Sequence, residues 1–163
     1  MTSHTAYELD GKLEYMMNMR PILKKQALFS DGTSDYREPA EPEPGDTVTI
    51  RFRAEKDNLD MVWLCMEDKR LPMEKYETVE DFDYYRVQIL VGSTVVHYCF
   101  QVETGFLACY YDRRGVTREQ RPEYFFTIMP GFSTPDWAKG AVMYQILVDR
   151  FYNGDPGNDV KNN

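Results

Sequence analysis

The sequence predicts a mainly β protein: an antiparallel β-sandwich, followed by the opening of a second unit built on a strand covered on both faces. Three observations carry this. Between Thr47 and Ile128, short segments alternate apolar and polar residues with period two, as strands that bury one face do. Gly, Asp and Ser turns separate these segments at the short spacing of sandwiches. From Ala141 to Val148 the alternation stops, and nearly every position of AVMYQILV is apolar. That suits a strand enclosed on both sides, as in parallel α/β sheets and barrels.

Taken in order, residues 1–26 form an N-terminal arm. Leu9, Leu13, Met16 and Met17 fall at roughly helical spacing, and Pro21 would end such a helix; a loosely packed arm reads equally well. DYREPAEPEPGD, residues 35–46, holds three prolines among acids and reads as an extended, exposed lead-in to a strand. In TVTIRFR, Val48, Ile50 and Phe52 share one face, and Thr49, Arg51 and Arg53 the other. MVWLCM (61–66) reads as a buried strand, YYRVQIL (84–90) alternates again, and VVHYCFQV (95–102), FLACYY (106–111) and YFFTI (124–128) continue the series. Val96, Tyr98, Phe100 and Val102 fall on one side of theirs. Residues 27–129 thus have the size of an immunoglobulin-like sandwich, roughly 100 residues. PGFSTPDW, 130–137, reads as a linker, and 138–163 as the start of something larger. A lone parallel strand satisfies neither its backbone groups nor its two apolar faces.

Composition narrows the function. The net charge of −8 disfavours nucleic acid and anionic membrane as partners. DRRGVTREQR, 112–121, carries four Arg but also acids, Gly and Thr, and reads as a solvated loop. The start of the chain lacks a signal-peptide pattern, and no apolar stretch approaches the length of a membrane span. Cys65, Cys99 and Cys109 are odd in number and without CxxC spacing, which predicts reduced, buried thiols in a cytoplasmic protein. His4 and His97 lie near no cysteine cluster, which disfavours zinc.

WAKGAVMYQILVDRFYNGDPGND, ALFSDGTSDY and EPEPGDTVTIRFR together resemble the neopullulanase, cyclomaltodextrinase and maltogenic amylase group of the α-amylase family, glycoside hydrolase family thirteen. The resemblance covers roughly residues 27–160. It implies an N-terminal immunoglobulin-like domain of carbohydrate-binding module family thirty-four, then the first strand and loop of a truncated (β/α)8 barrel. It also implies that the parent enzyme hydrolyses α-glucans such as maltodextrin, cyclodextrin or pullulan with retention, through two carboxylates. The family places those carboxylates on later barrel strands, so no catalytic residue is expected in these 163 residues. Asp149 matches the family's DRF rather than its nucleophile and reads as a structural partner of Arg150.

NGDPGND offers Asn153, Asp155, Asn158 and Asp159, four hard oxygen donors in a loop that Gly154 and Gly157 let fold back. Such residues also make plain turns. The resemblance implies a calcium loop at these four positions, with further ligands supplied downstream. For contact with an α-glucan oligosaccharide, Trp63, Tyr84, Tyr110 and Tyr111 are the candidates, since pyranose faces stack on exposed rings. Trp63 faces outward if Val62 and Leu64 face the core, and Tyr84 does so if Tyr85 and Val87 face it. The same rings would serve a protein interface, and the resemblance implies a homodimer. A stand-alone, non-catalytic glycan-binding or protein-interaction module is the alternative; an unpaired apolar strand at 141–148 argues against it.

Overall fold

The structure, a computed structural model, describes residues 22–143 together with Gln145 and Gly157. The chain divides into two compact units between Ser133 and Thr134. The first is the sandwich. One of its sheets comprises β1 (Arg37–Glu38), β2 (Thr47–Glu55), β5 (Glu74–Val79) and β6 (Phe82–Leu90), in the order β1-β2-β6-β5. The other comprises β3 (Met61–Met66), β4 (Arg70–Pro72), β7 (Val96–Thr104), β8 (Leu107–Asp112), β9 (Gly115–Thr117) and β10 (Phe126–Ile128). It runs β4-β3-β7-β8-β9, and β10 pairs with the first residues of β7. Every pairing is antiparallel.

Period two sets what each strand buries. On β2, Val48, Ile50, Phe52 and Ala54 are fully buried, while Thr49, Arg51 and Arg53 alternate with them on the outer side. Opposite, β3 sends Val62 and Leu64 inward, and β7 sends Tyr98, Phe100 and Val102. The two inner faces meet in an aromatic centre. Phe52 lies 4.7 Å from Phe100, and Tyr98 stacks on Phe126 at 5.3 Å. Each such side chain removed from water contributes about 1.5–3 kcal/mol, which holds the two sheets together. Leu23 and Leu28 complete this core, so the chain ahead of β1 is part of the domain's packing.

Edges and turns obey the same chemistry. β5 is exposed and rich in Glu and Lys, which discourages edge-to-edge pairing. Gly105, at φ 57°, makes the tight β7–β8 turn, a conformation that costs glycine little; its N–H donates to Asp60 Oδ2 at 2.7 Å.

Residues 112–121 are more ordered than a solvated loop. Gly115–Thr117 pairs with β8. Asp112 is 1% exposed and accepts two guanidinium hydrogen bonds from Arg121, at 2.8 Å each. Charge composition alone favoured solvent; the chain folds back as Gly115–Thr117 and returns Arg121 to Asp112, and a buried carboxylate needs such a partner.

In the second unit, Asp136–Ala138 forms a 3-10 turn after Pro135, and Trp137 is exposed. The predicted N-terminal helix, most of the strand at 141–148, the Asp149–Arg150 pair and the loop donors Asn153, Asp155, Asn158 and Asp159 lie outside the described residues.

Candidate functional site

Register decides which aromatic rings meet. Trp63 opposes Gln101, and Gln101 opposes Tyr110, so the three form one row across β3, β7 and β8. Val62, Leu64 and Val102 take the inner face, which sends this row outward. One step along the same face lie Cys65 and Cys99. With Phe125 they form a second, small apolar cluster, against which Trp63 and Tyr110 pack. Pro122–Tyr124 is a 3-10 turn that brings Phe125 back over the sheet.

Polar groups crown this cluster. Arg70 Nη1 donates to Gln101 Oε1 at 3.1 Å and lies 3.8 Å from Glu103 Oε1. Gln101 Nε2 donates to Glu103 Oε1 at 2.9 Å. The Arg70 guanidinium also sits 4.1 Å from the centre of the Trp63 ring, a cation–π contact. The indole Nε1 is buried with no hydrogen-bond acceptor among the described residues. This face therefore offers two half-buried rings flanked by an amide, a guanidinium and a carboxylate. That mixture suits hydroxyl-rich ligands.

The other two candidate rings stand apart. Tyr84 is on β6, on the outer face of the opposite sheet, 6.5 Å from Tyr76. Arg86 covers the Tyr76 ring at 5.0 Å. Tyr111 turns inward, 9% exposed, and packs on Phe52 at 5.4 Å and on Phe126 at 6.4 Å. Burial raises its hydroxyl above the ordinary pKa. Tyr111 also reaches an open cleft of about 440 Å³, with Phe29, Asp31, Arg37, Arg113 and Phe126. There Arg37 donates to the carbonyls of Thr127 and Ala40. Arg70, Gln101 and Glu103 are the members of the β3–β7 site that sequence reasoning passed over. Their alternation was visible, but not that β3 pairs with β7.

No group of three His, Cys, Asp or Glu is gathered to hold a metal among the described residues. Nor is any described helix long and apolar enough to cross a membrane.

Two antiparallel sheets packed face to face on an aromatic centre define an immunoglobulin-like β-sandwich domain. Residues 25–130 match the family described as "Alpha amylase, N-terminal ig-like domain", and the chain belongs to that family. It is similar to an amylopullulanase of Thermoanaerobacterium thermosulfurigenes, 34% identical over 131 residues, covering 69% of this chain and 7% of that protein. A cyclomaltodextrinase of a Bacillus species is 31% identical over 135 residues, covering 71% and 23%. Among solved structures, a cyclomaltodextrinase superposes with a TM-score of 0.56 at 28% identity, covering 84% of this chain and 26% of that one. The chain thus spans about a quarter or less of the length of these relatives.

Proposed function

We propose that this chain is the N-terminal part of an α-glucan-degrading glycoside hydrolase, and that its sandwich touches glucan through the Trp63–Gln101–Tyr110 face. The match of residues 25–130 to the N-terminal domain family carries the first half of this reading. The row of two rings and a central amide on one sheet face supports the second. Hydrolysis is proposed for the whole protein, with retention through two carboxylates on a barrel. The four donors at 153–159 are proposed as part of its calcium site, on their oxygen chemistry alone.

A dimer interface is the second reading. Phe106, at the β7–β8 turn, is fully exposed, and the adjoining Leu107 is half exposed. Apolar side chains at a hairpin tip suit a partner subunit.

Titration with maltohexaose under fluorescence tests the first reading. Glucan contact predicts a saturating change in Trp63 emission, lost in Tyr110→Ala and kept in Tyr84→Ala. No change up to 10 mM sugar, with a mass that doubles with concentration and falls back in Phe106→Ser, would favour the interface instead.

A further inference from the structure

The outer face of the six-stranded sheet carries chemistry that neither glucan contact nor dimer formation uses. Cys65 on β3 and Cys99 on β7 are direct cross-strand partners. They are 4% and 1% exposed, and neither is bridged. Directly opposed residues of antiparallel strands stand roughly 4.5–5.5 Å apart at Cα. A disulfide spans Cα separations of about 4.4–6.8 Å. The backbone is therefore already placed for a bond between them. The third thiol, Cys109, faces the inner core opposite Val102, with no cysteine beside it.

We propose that Cys65 and Cys99 are a dithiol that closes to a cross-strand disulfide when the protein meets a hydroperoxide, whatever this face binds. The surroundings make the two thiols unequal. Cys65 lies between Cys99 on one side and Arg70 on the other, because Arg70 is its partner across β4. A hydrogen bond shared with Cys99 holds the Cys65 thiol below its ordinary pKa; burial and Glu103 oppose this, while the Arg70 charge and the Gln101 backbone N–H add to it. The same shared hydrogen bond, then burial and the charge of Asp112, push the Cys99 thiol upward. Of the two thiols Cys65 is therefore the one that ionises more readily, and it is the nucleophile.

The chemistry balances without a cofactor. The Cys65 thiolate attacks one oxygen of hydrogen peroxide, breaks the O–O bond and becomes a sulfenic acid; the expelled hydroxide takes a proton to leave as water. Cys99 sulfur then attacks Cys65 Sγ, expelling hydroxide, which takes the Cys99 proton to give a second water. Two thiols lose two electrons and the peroxide gains them. Phe125, Trp63 and Tyr110 cover the pair, so peroxide enters by local opening of that cap.

The test is peptide mapping of the full chain. Reduced protein is treated with hydrogen peroxide, its remaining thiols are alkylated in denaturant, and it is digested without reduction. The expected product is a Cys65–Cys99 linked peptide, reversed by dithiothreitol, with Cys109 alkylated. Trp63 emission should fall as the link forms, because the ring packs on the pair. Met143, 86% exposed, reports that peroxide reached the protein. In Cys99→Ser, a dimedone adduct should build up on Cys65 at least tenfold over Cys109. Met143 sulfoxide with Cys65 and Cys99 still fully alkylated would overturn the proposal. So would oxidation spread evenly over the three cysteines. The wild-type map decides even if the serine variant fails to fold.

Discussion

The two outer faces of the sandwich come from strands of the same alternating kind, yet they differ in what they bury. The four-stranded face is ionic and wet. Arg51 pairs with Glu38 at 2.5 Å and Arg86 with Glu74 at 3.6 Å, and Arg53 lies over Phe82 at 4.4 Å. Exposed pairs of this sort are worth about 0–1 kcal/mol each. The six-stranded face carries a second apolar layer, because the chain after β9 returns and sets Phe125 on Cys65 and Cys99. There an amide and two thiols are held out of bulk water, with the exposed Arg70 guanidinium beside them. A sheet face becomes a place for chemistry where something covers it; alternation alone makes only a solvated surface.

The strongest way to break this contrast is to remove the cover. Phe125→Ala should cost about 3 kcal/mol, the low end for a buried Phe, read as a lower urea midpoint, and should expose both thiols to alkylation. Tyr84→Ala on the other face should cost under about 1 kcal/mol, in line with surface substitutions. Equal costs would mean that the second cluster contributes no more than the solvated face.

Next in size is the buried carboxylate. Asp112→Asn keeps the shape but removes the charge that Arg121 clamps in a bidentate contact. Breaking a buried pair costs about 3–5 kcal/mol; Arg121 is 31% exposed, so about 2 kcal/mol is expected. Glu38→Gln, on the four-stranded face, should change stability by about 0.5 kcal/mol or less. Melting of the two variants under one buffer compares the faces directly.

The inner faces, shared by both sheets, offer a control for the outer ones. Burial pushes Tyr85, from the four-stranded sheet, and Tyr98, from the six-stranded sheet, up to about 12. Both are neutral in the folded protein at pH 11, while the unfolded chain, titrating near 10, has largely lost those protons. Stability is therefore whole below pH 10 and falls as pH rises toward 12. Each Tyr accounts for about 1 kcal/mol by pH 11. Tyr98→Phe should flatten part of this slope at little cost at pH 7, because the buried Tyr98 hydroxyl has no hydrogen-bond partner among the described residues. An unchanged alkaline slope in Tyr98→Phe would remove Tyr98 from that account.

Much of the sandwich could be read in advance, because one-sided burial writes itself as period two. β3 spans the apolar run read as a buried strand, and Val96, Tyr98, Phe100 and Val102 pack toward one side. Short strands such as Arg37–Glu38, Arg70–Pro72 and Gly115–Thr117 were not legible. They hold two or three residues, too few to show a period, and exist because a neighbour's edge needs partners. The site was legible by halves. Outward placement of Trp63 followed from Val62 and Leu64. The meeting of Cys65 with Cys99, and of Trp63 with Tyr110, depends on which strands pair and in what register, and local pattern does not encode that. Tyr111 shows the limit of single residues: in a Tyr-Tyr pair one ring faces out and one in, and the neighbours' packing chooses.

The smallest expected effect lies outside both faces. At the proposed calcium site, Asn153, Asp155, Asn158 and Asp159 would offer four side chains to an ion that takes 6–8 oxygen ligands. Two charged groups and two amides leave the shell half filled, so binding by these residues alone should be of the weak extracellular kind, with Kd about 1 mM. Stabilisation follows RT ln(1 + [L]/Kd). At about 10 μM calcium this is of order 0.01 kcal/mol, far below one degree in melting temperature. Scanning calorimetry of the 163-residue chain in EDTA and in micromolar calcium should therefore give superimposable traces. A rise of several degrees would show that these residues gather a complete shell by themselves, and the site would then belong to the loop rather than to the larger barrel.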